Sequence, residues 1–257
     1  MEKQMLLGKV AIVTGASYGI GQAIAELFAE EGAKIVMTAR GKEKLDEAVN
    51  KIKAKGHKAI GIVADVGSLE DCKKVFDTTI KEFGDLDILV NNAGLGEQFV
   101  IEETEDDWMK YILNINVGGV IRYTREALKY FLPKNDGVII NVSSVNGSRP
   151  VCGATYTASK GAVHNVTKNI AIRLAGTNIR CNAIAPGATE TPAAELNMAG
   201  KQPGGSKMYQ LYGAKYYNTE LPSTLPIDQA YACLYLASKM GRMVKGQVLQ
   251  VCNGAFL

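Results

Sequence analysis

Short unbroken apolar runs alternate along the chain with longer stretches in which apolar residues recur every three or four positions. Val10–Val13 is such a run, ending at Thr14-Gly15, as expected of a parallel strand buried on both faces. A helical pattern follows, with Ile24, Leu27 and Phe28 on one face and Gly32 closing it. The same reading predicts further strands at Lys34–Ala39, Ala59–Val63, Asp87–Val90, Gly137–Val142, Ile179–Ile184 and Gln247–Val251. Between them it predicts helices at Lys42–Lys55, Leu69–Phe83, Trp108–Leu132, Tyr156–Ala175 and Ile227–Ser238. Strands alternating with helices at this spacing imply right-handed βαβ units, hence an α/β fold with a doubly wound parallel sheet. Neither a linker nor an internal repeat interrupts the pattern, so residues 1–257 read as a single domain.

One segment departs from it. Thr191–Leu225 has little periodicity and is rich in Gly, Met and Tyr, including Met198, Gly204, Gly205, Met208, Tyr209, Tyr212, Tyr216 and Tyr217. Structureless stretches of this length inside a compact fold are often functional. Two readings stand: a substrate lid over something apolar, or a pair of short packing helices.

Composition removes several function classes. With 47% apolar and 21% charged residues the chain has a core and is not disordered. The net charge of +3 is spread without a like-charged block, so neither nucleic acid nor an anionic membrane surface is an expected partner. No apolar stretch is long enough to span a bilayer, and Met1–Val10, broken by Glu2, Gly8 and Lys9, does not read as a signal peptide. The five cysteines are an odd number without a Cys-x-x-Cys pair, which predicts free thiols, no metal site and a reducing cytoplasmic setting.

Glycine is in excess, at 27 residues, and its placement carries chemistry. Gly15-Ala16-Ser17-Tyr18-Gly19-Ile20-Gly21 follows the first strand and opens a helix, the context of a dinucleotide phosphate site. Gly15 permits the tight turn, Gly19 lets backbone approach the pyrophosphate, and Gly21 lets helix and strand pack closely. At the end of the second strand an NAD site normally carries a carboxylate for the ribose 2′-hydroxyl. Here stand Thr38-Ala39-Arg40, so a guanidinium is available for a 2′-phosphate, with Lys42 as a helper. NADP(H) is therefore expected over NAD(H).

Three Tyr-x-x-x-Lys pairs occur: Tyr130/Lys134, Tyr156/Lys160 and Tyr235/Lys239. Pro133 interrupts the first, and a Pro-rich loop precedes the third. Only Tyr156/Lys160 follows a strand ending in hydroxyls, Ser143-Ser144, at the carboxyl edge where open α/β sheets bind ligands.

Together with Asp65-Val66, Asn91–Gly94, Asn116–Gly119 and Pro186-Gly187, these motifs run in family order over essentially the whole chain. The chain resembles the single-domain short-chain dehydrogenases/reductases, similar to bacterial hydroxysteroid dehydrogenases and 3-oxoacyl-[acyl carrier protein] reductases. The resemblance implies a Rossmann-type, seven-stranded doubly wound parallel sheet with helices on both faces. It implies a catalytic set in which Tyr156 is the acid or base and Lys160 favours tyrosinate and bonds the nicotinamide ribose. Asn116 would hold a water leading from Lys160, and Ser144 would bond the substrate oxygen. An ordinary tyrosine titrates near 10, so Lys160 is expected to lower Tyr156. For the cofactor the resemblance implies Gly15, Ser17, Tyr18, Gly19, Ile20 and Gly21 at the phosphates and Arg40 at the ribose. Asp65 and Val66 would meet the adenine, with Asn91 at its floor and Asn92, Ala93 and Gly94 beyond. Pro186, Gly187, Thr189 and Thr191 would border the nicotinamide.

Three departures bear on this, one being that segment 191–225 is longer and more aromatic than in a minimal member of the family. Ser144 precedes Tyr156 by one position fewer than is usual in the family, which leaves Ser143 as an alternative, although Ser144 fits the local Ser-Ser-x-x-Gly frame ending at Gly147. The common Asp-Gly-Gly near the C-terminus is here Cys252-Asn253-Gly254. His57 and His164 have no metal-ligand company and read as structural.

The expected function is interconversion of a ketone and a secondary alcohol. Gln98, Val145, Arg149, Val151 and the Met/Tyr-rich segment would choose the substrate, with Gln98, Ser144, Val145 and Tyr156 touching it. Their apolar and aromatic character suggests a bulky hydroxysteroid- or bile-acid-like molecule. The alternatives are a 3-oxoacyl-[acyl carrier protein] reductase and a non-catalytic NADPH-binding regulatory protein. The resemblance also implies a homotetramer or homodimer.

Overall fold

The computed structural model describes residues 4–257, apart from the side chains of 212–214. Residues 1–3, part of the stretch read as no signal peptide, and the side chain of Tyr212 lie outside the described residues.

Seven strands form one parallel sheet: β1 (Val10–Thr14), β2 (Lys34–Ala39), β3 (Ala59–Val63), β4 (Ile88–Asn91), β5 (Asp136–Val142), β6 (Asn178–Pro186) and β7 (Val248–Val251). Their order is β3-β2-β1-β4-β5-β6-β7, so the winding reverses between β1 and β4. Side chains alternate across each strand: Ala11 and Val13 face one core, Ile12 the other. On the first face lie α1 (Gly19–Glu30), α2 (Lys42–Ala54) and α9 (Pro226–Ala237), contributing Ile24, Phe28, Leu45 and Leu234. On the second lie α3 (Leu69–Phe83) and α5 (Gly119–Lys134), contributing Val75, Phe76, Tyr123 and Phe131. Both faces are covered, which is why the strands are near-continuous apolar runs.

The predicted strand at Asp87 begins one residue later. Asp87 instead turns its carboxylate on the chain, accepting the N–H of Val10 at 2.9 Å and the Lys9 ammonium at 2.9 Å. The predicted helix Trp108–Leu132 is longer and not uniform: α4 (Asp106–Leu113) joins α5 through one wide π turn at Asn114–Gly118. Pro133 falls in the last turn of α5 and does not end it. Strand β6 runs on through Pro186, and α6 (Ala154–Arg173) starts two residues before Tyr156.

In the aperiodic segment the structure has two short helices, α7 (Pro192–Met198) and α8 (Lys207–Tyr216). Thr191 caps α7 by accepting the N–H of Ala194 at 3.1 Å.

Candidate active site

The carboxyl ends of the strands open into a cavity of about 610 Å³ beside the β1–β4 reversal. Crevices form there because neighbouring loops depart to opposite faces. Arg40, Asp65, Ser144, Tyr156, Lys160 and Thr191 all line it.

The glycine turn is held open for an anion. Gly15 and Gly19 have φ of +63° and +61°, where a Cβ is strained. A Cβ on Gly15 would also lie 2.8 Å from Ala93 Cα, and one on Gly21 would collide with the Asn92 amide and the Gly15 carbonyl. Helix α1 starts at Gly19 with no side-chain cap on its N-terminus and no acidic residue in its first turn. Its free N–H groups and dipole face the cavity wall formed by Ser17, Tyr18 and Ile20, which suits a pyrophosphate.

At the end of β2, Arg40 is exposed and donates to Tyr111 Oη at 2.6 Å. Lys44 lines the cavity with its ammonium 5.8 Å from the centre of the Tyr18 ring. Lys42, the expected helper, instead pairs with Asp46 one turn along α2 and is not on the cavity wall. Asp65 lines the wall while its Oδ1 accepts the N–H of Gly67 at 2.7 Å.

Of the three Tyr/Lys pairs, one reaches the cavity. Tyr130 stacks on Phe76 and Lys134 bonds Asp85, while Tyr235 is exposed on α9. On α6 the Lys160 Nζ lies 5.6 Å from the centre of the Tyr156 ring and donates to the Val142 carbonyl at 3.1 Å. Burial lowers Lys160 to about 8. Burial also pushes Tyr156 above its ordinary value, aided by Cys152 and opposed by a hydrogen bond with Ser144. The expected lowering of Tyr156 by Lys160 is therefore not found: burial raises the phenol, and Lys160, itself lowered by burial, is not among the groups that move it.

The two serines differ. Ser143 Oγ donates to the Lys160 carbonyl at 3.0 Å and so ties β5 to α6. Ser144 Oγ accepts the N–H of Asn146 at 3.1 Å and meets Tyr156.

The sequence pattern of the short chain dehydrogenases matches residues 9–201. The chain belongs to the short-chain dehydrogenase family. It is similar to a 3β-hydroxysteroid dehydrogenase of Eggerthella lenta, 34% identical over 97% of this chain and 95% of the relative. It is 36% identical to the 3-oxoacyl-[acyl-carrier-protein] reductase of Thermotoga maritima, over 97% of this chain and 98% of that one. Among solved structures it resembles a 3-ketoacyl-(acyl-carrier-protein) reductase of Brucella melitensis complexed with NADH. There the TM-score is 0.85 and identity 33%, over 98% of this chain and 100% of the other. An actinorhodin polyketide ketoreductase with NADPH gives a TM-score of 0.87 at 31% identity, covering 99% of each. The protein is an oxidoreductase acting on CH–OH groups or ketones.

Several side chains of this short-chain dehydrogenase differ in placement from expectation. Asn91 does not reach the cavity: it is buried in the sheet, donating to Asn141 Oδ1 at 2.9 Å. Asn92 lines the cavity as expected, but spends its amide on the carbonyls of Thr14 and Gly15, both at 2.9 Å, and so clamps the glycine turn. Asn116, 1% exposed in the π turn, is off the cavity wall. Its amide grips Leu95 N and O and Ser159 Oγ at 2.8–2.9 Å. Arg149 is exposed and off the wall, whereas Gln98, Val145 and Val151 line it. Val66, Ala93, Gly94, Pro186, Gly187 and Thr189 also line it. His164 is buried against Gly147 without a cavity face, in keeping with a structural role.

The sequence did not announce three contributors. Lys44 replaces Lys42 because helix phase, not proximity to Arg40, decides which lysine faces inward. Asn146 Oδ1 accepts the N–H groups of Val151 and Cys152 at 3.0 and 2.9 Å, shaping the loop before Tyr156. Glu97, 1% exposed, takes the N–H of Tyr156 at 3.0 Å and of Phe99 at 2.9 Å. Among the described residues no cluster of His, Cys, Asp or Glu suits a metal, and no helix is long and apolar enough to cross a membrane.

Proposed function

We propose that this dehydrogenase interconverts a ketone and a secondary alcohol using NADP(H), preferred over NAD(H), on a bulky, largely apolar hydroxysteroid-like substrate. The observation that carries the reading is one continuous cavity with Arg40 and Lys44 lining its wall together with Ser144, Tyr156 and Lys160. The residues fit the cofactor. The α1 N-terminus and its glycines suit the pyrophosphate, and Arg40 with Lys44 offers two cations and no carboxylate to a 2′-phosphate. Asp65 and Val66 would border the adenine, Lys160 the second ribose, and Pro186, Gly187, Thr189 and Thr191 the nicotinamide. When bound, the nicotinamide supplies or takes the hydride.

The protein's own groups handle the proton and the charge. During reduction Tyr156 gives its phenolic proton to the carbonyl oxygen, and Ser144 donates a hydrogen bond to the same oxygen as negative charge develops. The raised Tyr156 keeps that proton in place at neutral pH. Lys160, still cationic below about 8, stabilises the tyrosinate left behind. Asn116 acts through the loop it grips, since its side-chain amide is spent on Leu95 and Ser159.

Val145, Val151, Tyr217 and Phe256 form an apolar wall, with Tyr217 and Phe256 stacked at 4.8 Å, which supports a flat apolar substrate. Segment 191–225 serves as the cover over this half, contributing Thr191, Asn197, Tyr209 and Tyr217 to its lining. A 3-oxoacyl thioester on acyl carrier protein is the second reading, supported by the relatives named for that reaction. Exposed Tyr231, Tyr235, Met243 and Leu249 beside edge strand β7 support a homotetramer or homodimer.

The test follows NADPH and NADH absorbance against ketosteroids, a 3-oxoacyl thioester and small diketones. Wild-type turnover of one class with NADPH, reduced about 10²- to 10⁴-fold by Tyr156→Phe, is expected. A variant as active as wild type would remove Tyr156 from its role, and preference for the thioester would select the second reading.

A further inference from the structure

Gln98 follows Glu97 on the loop after β4, lines the substrate half of the cavity and is 2% exposed. Its Oε1 is buried without a hydrogen-bond partner among the described residues. Among the described residues its Nε2 has two contacts, Cys152 Sγ and Asn197 Oδ1, both at 3.4 Å. That is the long edge of hydrogen bonding, and Asn197 Oδ1 is also engaged by Gln202 Nε2. A buried amide left this short of partners is destabilising, and native proteins rarely leave one so unless something fills it.

The surroundings define the filler. Glu97 is buried beside it, its carboxylate compensated by two backbone N–H groups and not by a cation. The basic residues of the described lining are Arg40, Lys44 and Lys160, the first two at the cofactor end. A carboxylate or phosphate next to Gln98 would therefore meet negative charge without a counter-ion. A hydroxyl is neutral, and it can donate to Oε1 or accept from Nε2, so it suits either orientation of the amide. Cys152, which Gln98 touches, is close enough to raise Tyr156, so this position lies near the reacting carbonyl.

We propose that Gln98 forms a subsite for a substrate hydroxyl, so that the preferred substrates are neutral ketones carrying a hydroxyl near the carbonyl. The inference rests on the ketone–alcohol reading above and narrows its substrate class. The Glu97 charge makes the same subsite reject acids.

The experiment compares kcat/KM for cyclohexanone with its 2- and 4-hydroxy derivatives, and for ketosteroids matched except for one hydroxyl, in wild type, Gln98→Leu and Gln98→Glu. In wild type one hydroxylated member of a pair is favoured by about tenfold or more, expressed in KM. Gln98→Leu loses most of that preference, read as the ratio of kcat/KM within each pair so that any general loss cancels, and Gln98→Glu, which sets a second carboxylate beside Glu97 without a counter-ion, does not restore it. Equal rates within every pair, or a preference that survives Gln98→Leu, would overturn the subsite and leave the parent function standing, with water as the partner of Gln98. Calorimetry of the matched alcohols on NADP-loaded Tyr156→Phe reads the subsite without turnover. Tighter binding of the diol that disappears on adding Gln98→Leu supports it, and equal binding of diol and alcohol refutes it.

Discussion

Glu97 Oε1 accepts the backbone N–H of Tyr156 at 3.0 Å, so helix α6 is capped by a carboxylate lying 59 positions earlier in the chain. A Cβ on Gly153 would collide with both oxygens of that carboxylate, so glycine there and glutamate at 97 are matched. The cap binds the loop after β4 to the helix that carries Tyr156 and Lys160.

Glu97→Ala is expected to lower kcat about tenfold or more with little change in KM for NADPH, because it loosens the backbone that aims Tyr156. Loss of the cap alone costs about 1 kcal/mol, a fall in Tm of roughly 2–4 °C. Gly153→Ala should act like Glu97→Ala, and the two should be markedly non-additive in kcat. A lower Tm with kcat unchanged would reduce Glu97 to a purely structural cap.

Arg40→Ile together with Lys44→Leu should weaken NADPH binding at least tenfold while leaving NADH binding nearly unchanged, read by fluorescence titration of the bound nucleotide. The wild-type preference for NADPH should also shrink as salt rises, because both cations are exposed. Equal loss for the two nucleotides would mean that these side chains do not read the 2′-phosphate.

Lys160 sets a trade between stability and chemistry. Its folded pKa of about 8 lies below the ordinary 10.5, so holding the ammonium in the fold opposes folding. That penalty is fully present below about pH 8 and fades as pH climbs toward 10.5. Lys160→Met should therefore be the more stable protein at pH 7, by at most roughly 3 kcal/mol, with the gain shrinking by pH 10. Urea denaturation at both pH values measures it. The same titration predicts that ketone reduction by the wild type declines as pH rises through about 8.

Burial pushes Cys72 and Cys181 up to about 12 and Cys152 up to about 11, and it raises Cys233 as well. At pH 7.5 all four are thiols, so iodoacetamide should leave them unmodified in the native protein and alkylate them once urea unfolds it. Mass spectrometry of the two samples counts the adducts. Rapid native labelling of Cys152 would show that the loop before Tyr156 opens readily.

The sheet was readable because burial on both faces writes each strand as a bare apolar run. β2, β3 and α3 lie where periodicity puts them. The Gly15–Gly21 turn and the Tyr156/Lys160 pair were readable because their function depends on local spacing. What escaped reading was set by contacts between distant residues. Asn91 looked like a cofactor residue by its neighbours, yet its amide belongs to Asn141 across the β4–β5 pair. Glu97 looked like one loop acid among several, and only the arrival of α6 gives it a task. Lys42 and Lys44 differ only in helix phase, and the true N-terminus of α2 decides which faces the cleft. Segment 191–225 has weak periodicity because its short helices pack against a ligand cavity rather than a continuous core.

The wide turn at Asn114–Gly118 separates two demands on what would otherwise be one rigid rod. Each added residue rotates the following side chains by about 100°. The turn thus lets α4 aim Tyr111 at Arg40 while α5 keeps Tyr123 and Phe131 beneath the sheet. Substitutions on the half that holds Arg40 need not be compensated on the core-facing half. A lineage carrying this turn can alter the contact that Tyr111 makes with Arg40 while leaving Tyr123 and Phe131 in place beneath the sheet. Deleting a residue here would couple the two again, and evolution would have to retune recognition and folding together.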